Sequence, residues 1–343
     1  MKRIGLLFIA SCAALVASGV AAGAAPSAPT ISDLGAWATA GSRLAVSGTV
    51  NHRDGLWVQT IGSTQPRLLT TRCGEGNAPS QIAAGPNGSW ACLTAVVGNT
   101  EAFYAVDLVL GNGSVRHVAT AGGSIDSSGT AAQKFDSIPQ IIGDGSFLGY
   151  LRVTPAGVTQ LFQIGSTGHA RRVASLPGVS AVATASTQDS NPEVSAANGT
   201  VAILQVNGTV AVFTVAGAPL AAIPAHGAAV AVTGNRVVVR TRTRRLVVYG
   251  LHGGLVHNWR LGATNSSNGL AAFDGYAAYI GADKAVRVVK LSNGTDRVVA
   301  RSGAGWFWNG VSLQAPGIVA PLTTQHGKSF VSTPQFVPTA KLR

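Results

Sequence analysis

The sequence predicts an all-β fold made of repeated four-stranded sheets, and three observations lead to this prediction. Residues 235–254 align without a gap on residues 275–294, which lie 40 positions further on. Residues 199–217 fit the same template 36 positions earlier. In each copy, Gly, Asn and Asp separate short β-branched or alternating runs, as in strands joined by tight turns. Such a unit needs neighbours to bury its faces, so a period near 40 residues favours a β-propeller.

The first 24 residues are predicted to be a secretory signal peptide that is not part of the fold. A basic start at Lys2 and Arg3 precedes an uncharged run from Ile4 to Ala22, and small residues follow it. Two alternatives stay open. The run is long enough to remain as a membrane anchor, and the residues that end at Cys12 resemble a lipidation signal.

Beyond the signal, the chain divides into a short linker and one large domain. Residues 25–33 begin with a run rich in Pro, Ser and Ala and are predicted to be the linker. Residues 34–343 are predicted to form a single β-propeller. Beyond residue 24, no segment is apolar enough to span a membrane, so we expect no transmembrane helix once the signal is cleaved.

Four weaker matches to the repeat bring the number of predicted units to seven. They cover residues 44–70, 82–119, 141–175 and 311–336. We therefore predict seven blades of four-stranded antiparallel sheet, closed by pairing of the N- and C-terminal segments so that no edge stays unpaired. Two long loops, 121–139 and 177–192, interrupt the period. They are either binding loops or surface insertions.

The charge balance favours anionic partners. Removing Lys2 and Arg3 with the signal leaves 23 basic against 13 acidic residues, a net charge of +10. For an exported protein, this excess points to anionic cell-envelope polymers or phospholipid head groups, and we expect no nucleic-acid partner. The sequence leaves the partner unidentified, and we expect a monomer.

Cys73 and Cys92 are the only two cysteines that remain after signal cleavage. An even pair in an oxidising compartment predicts one disulfide, which would join the loop after the first unit to a strand of the second. The alternative is two separate buried thiols.

The sequence contains no complete catalytic motif. The seven histidines lack metal-ligand spacing, and neither a phosphate-binding loop nor a nucleophile elbow is present. We therefore expect no catalytic, metal-binding or cofactor-binding residues. Glycosidases on propellers pair carboxylates from different blades, so the first candidates for such a role are the acids in or beside the two long loops: Asp126, Asp136, Asp189 and Glu193.

Residues 240–245 form an unusually basic run, Arg-Thr-Arg-Thr-Arg-Arg. At the period of a strand, Arg240, Arg242 and Arg244 would share one face and form a stripe suited to phosphate or carboxylate groups. Together with Arg245, they are predicted to bind an anion. In the alternative interpretation, half of the run forms a hairpin whose charges protect an exposed edge from association.

The six tryptophans either stack on sugar rings or pack between sheets. We predict packing for Trp57, Trp90 and Trp259. Trp306 and Trp308 belong to a Gly-flanked Trp-Phe-Trp segment, and we predict that they form an exposed aromatic binding cluster.

The clearest repeats resemble the pyrroloquinoline-quinone-like propeller repeat. The resemblance rests on Asn235, Val237 to Val239, Leu246 to Tyr249, Gly254 and Trp259, and in the next unit on Asp274, Gly275, Tyr279, Asn293 and Gly294. It covers about 100 residues. The chain is also similar to WD40-like exported propellers, but lacks their Trp-Asp signature. Both resemblances imply a propeller fold. The cofactor and calcium ligands of quinone-dependent dehydrogenases have no counterparts here.

The sequence therefore predicts an exported, non-catalytic β-propeller that acts as a binding scaffold for a protein or an anionic cell-envelope partner. The alternative is a carbohydrate-active hydrolase or lyase with carboxylates in the central funnel. A third possibility is a structural domain that binds its partner along one blade edge.

Overall fold

The computed structural model describes residues 30–73, 79–97, 101–124, 139–154, 156–176, 178–179, 194–205, 207–262, 269–327 and 329–342. The predicted signal peptide, most of the linker and most of both long loops lie outside these residues. The described residues form β-strands and two short 3-10 turns, Pro86–Gly88 and Thr339–Lys341. No helix among them is long and apolar enough to cross a membrane.

Five sheets each contain four strands that are consecutive in the chain. The first two are built from β6 (Gln81–Ala84), β7 (Trp90–Val97), β8 (Glu101–Val109) and β9 (Val115–Ser124), and from β10 (Gln140–Gly143), β11 (Leu148–Val153), β12 (Thr159–Ile164) and β13 (Ala170–Ser175). The third is built from β14 (Val194–Ala197), β15 (Thr200–Leu204), β16 (Val210–Thr214) and β17 (Pro219–Ile223).

The last two of these sheets cover the best repeats of the sequence. They are built from β18 (Gly227–Thr233), β19 (Arg236–Thr241), β20 (Arg245–Gly250) and β21 (Leu255–Arg260), and from β22 (Leu270–Phe273), β23 (Tyr276–Ile280), β24 (Ala285–Lys290) and β25 (Asp296–Arg301). In all five sheets each strand pairs antiparallel with the next. The prediction of an all-β fold with four-stranded antiparallel units is confirmed.

A larger sheet combines the two ends of the described chain. Its N-terminal strands are β1 (Ile31–Ser32), β2 (Trp37–Ala40), β3 (Arg43–Val50), β4 (Arg53–Thr60) and β5 (Arg67–Thr70), and its C-terminal strands are β26 (Trp306–Trp308), β27 (Ser312–Gln314), β28 (Gly317–His326) and β29 (Ser329–Pro338). The short strand β1 pairs with β29 on one side and with β3 on the other, through Ile31 opposite Ser332 and Ser32 opposite Thr49.

The tight turns form where the sequence has Asx-Gly pairs. Asn198 and Gly199, between β14 and β15, have φ angles of 50° and 74°, and Asp274 and Gly275, between β22 and β23, have φ angles of 45° and 78°. Two successive residues with positive φ define the hairpin turn that matches the twist of the strands it joins. The turns predicted at these positions are therefore present.

The hydrophobic core lies between neighbouring sheets. Val210, Val212 and Ile223 of one sheet pack against Val230 and Val237 of the next, and all five side chains are buried. Each sheet thus covers a face that the previous sheet exposes, which is the packing that the 40-residue repeat requires. Burial of these β-branched side chains is the main stabilising contribution of the fold.

The predicted disulfide between Cys73 and Cys92 is confirmed, with Cα atoms 6.4 Å apart. It joins the loop after β5 to strand β7, and both residues lie in the core between their two sheets. Closing a loop over a sequence separation of 19 residues contributes about 3 kcal/mol to the free energy of unfolding.

Candidate functional site

The first strands of the five four-stranded sheets, together with β2 and β27 of the larger sheet, surround a central cavity of about 1890 Å³. These inner strands are β2, β6, β10, β14, β18, β22 and β27. Each contacts the next along the chain, and β27 contacts β2, where the hydroxyls of Thr39 and Ser312 form a hydrogen bond. The indole Nε1 of Trp37 also donates to the carbonyl of Asn309 across this junction, at 2.9 Å.

Among the described residues, three carboxylates line the cavity, and their positions suit turns better than catalysis. Oδ1 of Asp144 accepts hydrogen bonds from Ser146 N, Ser146 Oγ and Phe147 N, each at 2.8 Å. Asp274 occupies the tight turn after β22, and Asp33 precedes β2. Asp144 and Asp274 follow β10 and β22, which are separated by two other inner strands. The described residues contain no cluster of three potential metal ligands. The loop acids Asp126, Asp136, Asp189 and Glu193 lie outside the described residues.

The two ends of each sheet carry different connections between strands. In an antiparallel four-stranded sheet, the hairpin between the second and third strands lies at the same end as the connection to the next sheet. We call this end the loop face. In the described residues it includes the hairpins β3–β4, β19–β20, β23–β24 and β28–β29, together with the segment that contains β26.

The arginine run lies on the loop face but does not form the predicted stripe. Strand β19 ends at Thr241 and β20 begins at Arg245, so Arg242 and Arg244 belong to the hairpin turn. Arg244 has φ +62°. Arg240 is 1% exposed and points into the protein. The expectation that Arg240, Arg242 and Arg244 share one face is wrong, because the turn interrupts the alternation.

Burial sets the properties of Arg240. Removal of its guanidinium from water lowers its pKa to about 10, and the nearby Tyr279 opposes this shift. A buried cation of this kind cannot contact a partner that docks on the surface. Arg240 therefore belongs to the packing between the sheets and not to a binding surface.

The exposed cations of the loop face come from two neighbouring sheets. Arg242, Arg244 and Arg260 are exposed, and Arg245 is half-buried with its Nε donating to Oδ1 of Asn258. The backbone brings them together, because Arg245 lies opposite Arg260 in the register and Leu261 N donates to Arg244 O at 2.9 Å. The next sheet adds Lys284 and Arg301, both exposed.

A polar network lies between the same two sheets. Asp296 accepts from the hydroxyl of Tyr279 at 2.6 Å, from Arg287 Nε at 3.0 Å and from the backbone N of Gly262 at 3.2 Å. A second carboxylate, Asp283, pairs with Arg287 at 2.9 Å. Gly262 follows β21, so Asp296 ties one sheet to the next. No motif in the sequence predicts this network, because its members lie on different strands and turns.

The network shifts two pKa values upward. Burial is the main cause that raises the pKa of Tyr279, and its hydrogen bond to Asp296 adds to this effect. For Arg287, burial by itself lowers the pKa, but the hydrogen bond and charge of Asp296, with Tyr279 and Asp283, reverse the shift and raise it. Arg287 is therefore held as a cation by its partners.

The aromatic cluster is composed differently from the prediction. Trp308 is 5% exposed, and its Nε1 donates to Lys284 O at 3.1 Å, while Trp306 is half-buried. The exposed aromatic of this segment is Phe307. Its ring meets that of Phe330 edge to face, with centroids 6.2 Å apart. Strand alternation explains the difference, because Phe307 faces the cavity and its neighbour Trp308 faces the core.

The other tryptophans behave as predicted. Trp57 and Trp90 are buried. Trp259 packs against the core cluster of the two sheets and lies so close to Gly294 that a Cβ there would overlap its ring. These three side chains are parts of the packing between sheets.

The fold is that of a WD40-like β-propeller. No protein-family model matches the sequence, and no curated protein matches it. Among solved structures, the crystal structure of the mitotic checkpoint complex contains a similar chain, with 12% identity, a TM-score of 0.57, and coverage of 98% of this chain and 99% of that one. Sqt1 of Saccharomyces cerevisiae is similar with 12% identity, a TM-score of 0.51, and coverage of 91% and 97%. Both are WD40-type propellers.

Proposed function

We propose that this chain is a non-catalytic binding scaffold that receives an acidic partner on its loop face. The observation that carries the proposal is the charge of the β18–β25 region at that end. Six exposed or half-buried cations lie there, Arg242, Arg244, Arg245, Arg260, Lys284 and Arg301. Among the described residues at this end of the two sheets, the carboxylates are Asp283 and Asp296. Asp296 is committed to Arg287, Tyr279 and Gly262, and Asp283 pairs with Arg287 and, at 3.6 Å, with Arg301. We call these six cations the basic patch.

The basic patch suits ligand binding better than edge protection. A single charged hairpin tip is enough to prevent association, but here cations from two hairpins and two strand ends lie side by side. Arg244 and Arg260 make no ion pair within the described part of the chain. Like charges placed together destabilise the free protein, and an anionic partner would relieve this repulsion.

The architecture that we propose for the scaffold is a single domain of seven blades over residues 34–343. Two observations support it: seven inner strands line the cavity, and β27 contacts β2. In this arrangement the terminal strands β1 and β29 close the ring by pairing. The resemblance to the pyrroloquinoline-quinone-like repeat remains a prediction and has no part in the proposal.

The proposal favours binding over catalysis. Among the described residues, Asp144 is committed to its turn and Asp274 lies beyond a non-adjacent strand, so these two carboxylates are not neighbours in the manner of a glycosidase pair. WD40-like propellers with this fold are protein-binding scaffolds in general. A protein or an anionic envelope polymer is therefore the partner class that we propose.

We further propose that the protein is exported, on the basis of the basic start, the apolar run and the small residues of positions 1–24. The confirmed disulfide supports an oxidising compartment. Expression of the full chain with a C-terminal tag, followed by cell fractionation and N-terminal sequencing, tests the proposal. A mature N-terminus near Ala25 in an extracytoplasmic fraction is expected. An intact N-terminus in the cytoplasm would contradict it.

Binding of the purified protein to three anionic probes tests the scaffold itself. The probes are poly-L-glutamate, isolated cell-wall polymer and phosphatidylglycerol vesicles, each at low and high salt. At least one is expected to bind in a salt-sensitive way, because interactions between exposed charges are screened. The variant Arg244→Ser/Arg260→Ser should weaken that binding. Absence of binding to all three would overturn the proposal.

A further inference from the structure

The aromatic pair Phe307 and Phe330 lies where the loop face meets the central cavity. Both side chains are 44% exposed, and both line the cavity. They come from β26 and β29, on either side of β28, and flank the buried hydrogen bond between Thr323 and Ser332. Large exposed aromatics that form one contiguous surface are typical of binding sites.

The aromatic pair is joined to the basic patch through the backbone. Phe307 adjoins Trp308, whose Nε1 donates to the carbonyl of Lys284. Lys284 belongs to the hairpin β23–β24, and Ser302 N, next to Arg301, also donates to Lys284 O. The hairpin that bears Arg244 lies one sheet further on. The loop face therefore presents an aromatic end followed by cations on two successive sheets.

We propose that the loop face binds an extended acidic peptide segment, with an apolar or aromatic side chain held by Phe307 and Phe330 and carboxylates on the basic patch. This inference rests on the proposed function and names its partner. Adjacent sheets pack about 10 Å apart, and an extended chain advances about 3.3 Å per residue. The carboxylates are therefore expected to begin about three residues from the apolar anchor.

The chemistry of the pair favours a peptide over a polysaccharide. Both rings are phenylalanine, without a hydroxyl or N–H to bond a sugar, and their edge-to-face arrangement offers an apolar corner instead of one flat stacking surface. Asp33 lies beside this corner, because its backbone N donates to Phe330 O at 2.8 Å. Its carboxylate disfavours acidic groups at the aromatic end, so the apolar residue and not the acidic segment of the peptide occupies this end.

Fluorescence anisotropy with synthetic peptides tests this proposal on the purified full chain. The first probe contains one phenylalanine followed, about three residues later, by alternating Asp and Glu. A second probe replaces the phenylalanine by serine, and a third replaces the acids by Asn and Gln. Fluorescently labelled polygalacturonate is a separate, acidic polysaccharide probe. The protein variants are Phe307→Ser/Phe330→Ser and, as a control of the same type on β29, Phe336→Ser, which is 36% exposed in the parent.

We expect the phenylalanine peptide to bind the parent protein about tenfold more tightly than the serine peptide, as for a buried aromatic anchor. Phe307→Ser/Phe330→Ser should remove this difference, whereas Phe336→Ser should keep it. Near-UV circular dichroism confirms that the variants are folded. If the parent protein binds the phenylalanine peptide and the serine peptide equally, the inference is overturned, whatever the variants show.

The remaining outcomes separate this inference from the scaffold proposal. If both acidic peptides bind equally and Arg244→Ser/Arg260→Ser weakens both, the scaffold proposal stands and the aromatic anchor is wrong. If the acidic peptides do not bind and poly-L-glutamate, cell-wall polymer and phosphatidylglycerol vesicles also fail to bind, both proposals are wrong. Direct binding of fluorescently labelled polygalacturonate that depends on Phe307 and Phe330, without peptide binding, would replace the peptide by a polysaccharide and overturn the inference.

Discussion

Two neighbouring sheets use their arginines in opposite ways. In the sheet β22–β25, Arg287 is 15% exposed and paired with Asp296 and Asp283. At the loop end of the sheet β18–β21, Arg244 and Arg260 are exposed and have no ion pair in the described part of the chain. The first arrangement satisfies a cation inside the protein, and the second leaves cations available to another molecule. Burial and pairing thus separate structural arginines from candidate binding residues more reliably than sequence clustering does.

The physical basis of this comparison is the cost of desolvation. A charge removed from water is tolerated when a carboxylate and further hydrogen bonds replace its hydration, as at Arg287. An exposed arginine keeps its hydration and is favourable without a partner, but its attraction to an anion is screened by salt. The two regions should therefore respond to different experiments, the first to unfolding and the second to binding.

The largest expected effect is that of Asp296→Asn. The substitution removes the negative charge that pairs with Arg287 and leaves one side-chain oxygen, so either Arg287 Nε or the two donors Tyr279 and Gly262 lose their acceptor. It should lower the free energy of unfolding by about 3 kcal/mol. Urea denaturation measures the change. Asp283→Asn is the control: its side chain is 28% exposed, and its loss should cost less than about 1 kcal/mol. If Asp296→Asn and Asp283→Asn lower the free energy of unfolding equally, Asp296 is not the stronger partner of Arg287, and this account is contradicted.

Tyr279→Phe is expected to have a smaller effect, about 1.5 kcal/mol at neutral pH, because it leaves one lone pair of the buried carboxylate unsatisfied. The pKa of Tyr279 is raised in the folded protein, so its hydroxyl keeps its proton above pH 10 whereas the unfolded chain loses it. The advantage of the parent over Tyr279→Phe should therefore be complete below about pH 10 and shrink above it. An advantage that grows above this pH would contradict the assignment.

Arg240→Met should have the smallest cost, and we expect a free energy of unfolding equal to that of the parent or higher by about 1 kcal/mol at pH 7. Burial lowers the pKa of Arg240 to about 10, so the folded protein carries a desolvated cation below that pH. The penalty is relieved as the pH rises above 10, and the advantage of Arg240→Met should shrink there. Urea denaturation near pH 7 and near pH 11 tests this, and a clear loss of stability at pH 7 would refute it.

The sequence predicted the parts of the fold that depend on local spacing. The repeat from Asn235 to Gly294 located the strands of two sheets, since Asx-Gly pairs and alternation are local properties. The pairing of Cys73 with Cys92 also followed, because only two cysteines remained. The packing of Trp57, Trp90 and Trp259 was predicted correctly for the same type of reason, since a repeat that stacks its sheets needs large side chains between them.

The candidate site was harder to predict because it depends on where a strand stops and which face it buries. Alternation placed Arg240, Arg242 and Arg244 together, but the strand ends at Thr241 and the turn redirects the two later side chains. In the Trp-Phe-Trp segment, the strand period of two is compatible with exposure of either Phe307 or the two tryptophans beside it. Only packing against the neighbouring sheets decides that Phe307 is exposed. Its contact with Phe330 joins strands that are not adjacent in the chain.

The most direct test of the central claim is a salt titration of binding to poly-L-glutamate by three proteins. They are the parent, Arg244→Ser/Arg260→Ser, and a control with Arg67→Ser and Lys290→Ser, two exposed cations at the opposite end of the sheets. The account predicts that the loop-face variant loses at least about tenfold in affinity at low salt, while the control binds like the parent and all three unfold alike. Equal losses in both variants would show that net charge alone attracts the polymer and would contradict a defined binding surface.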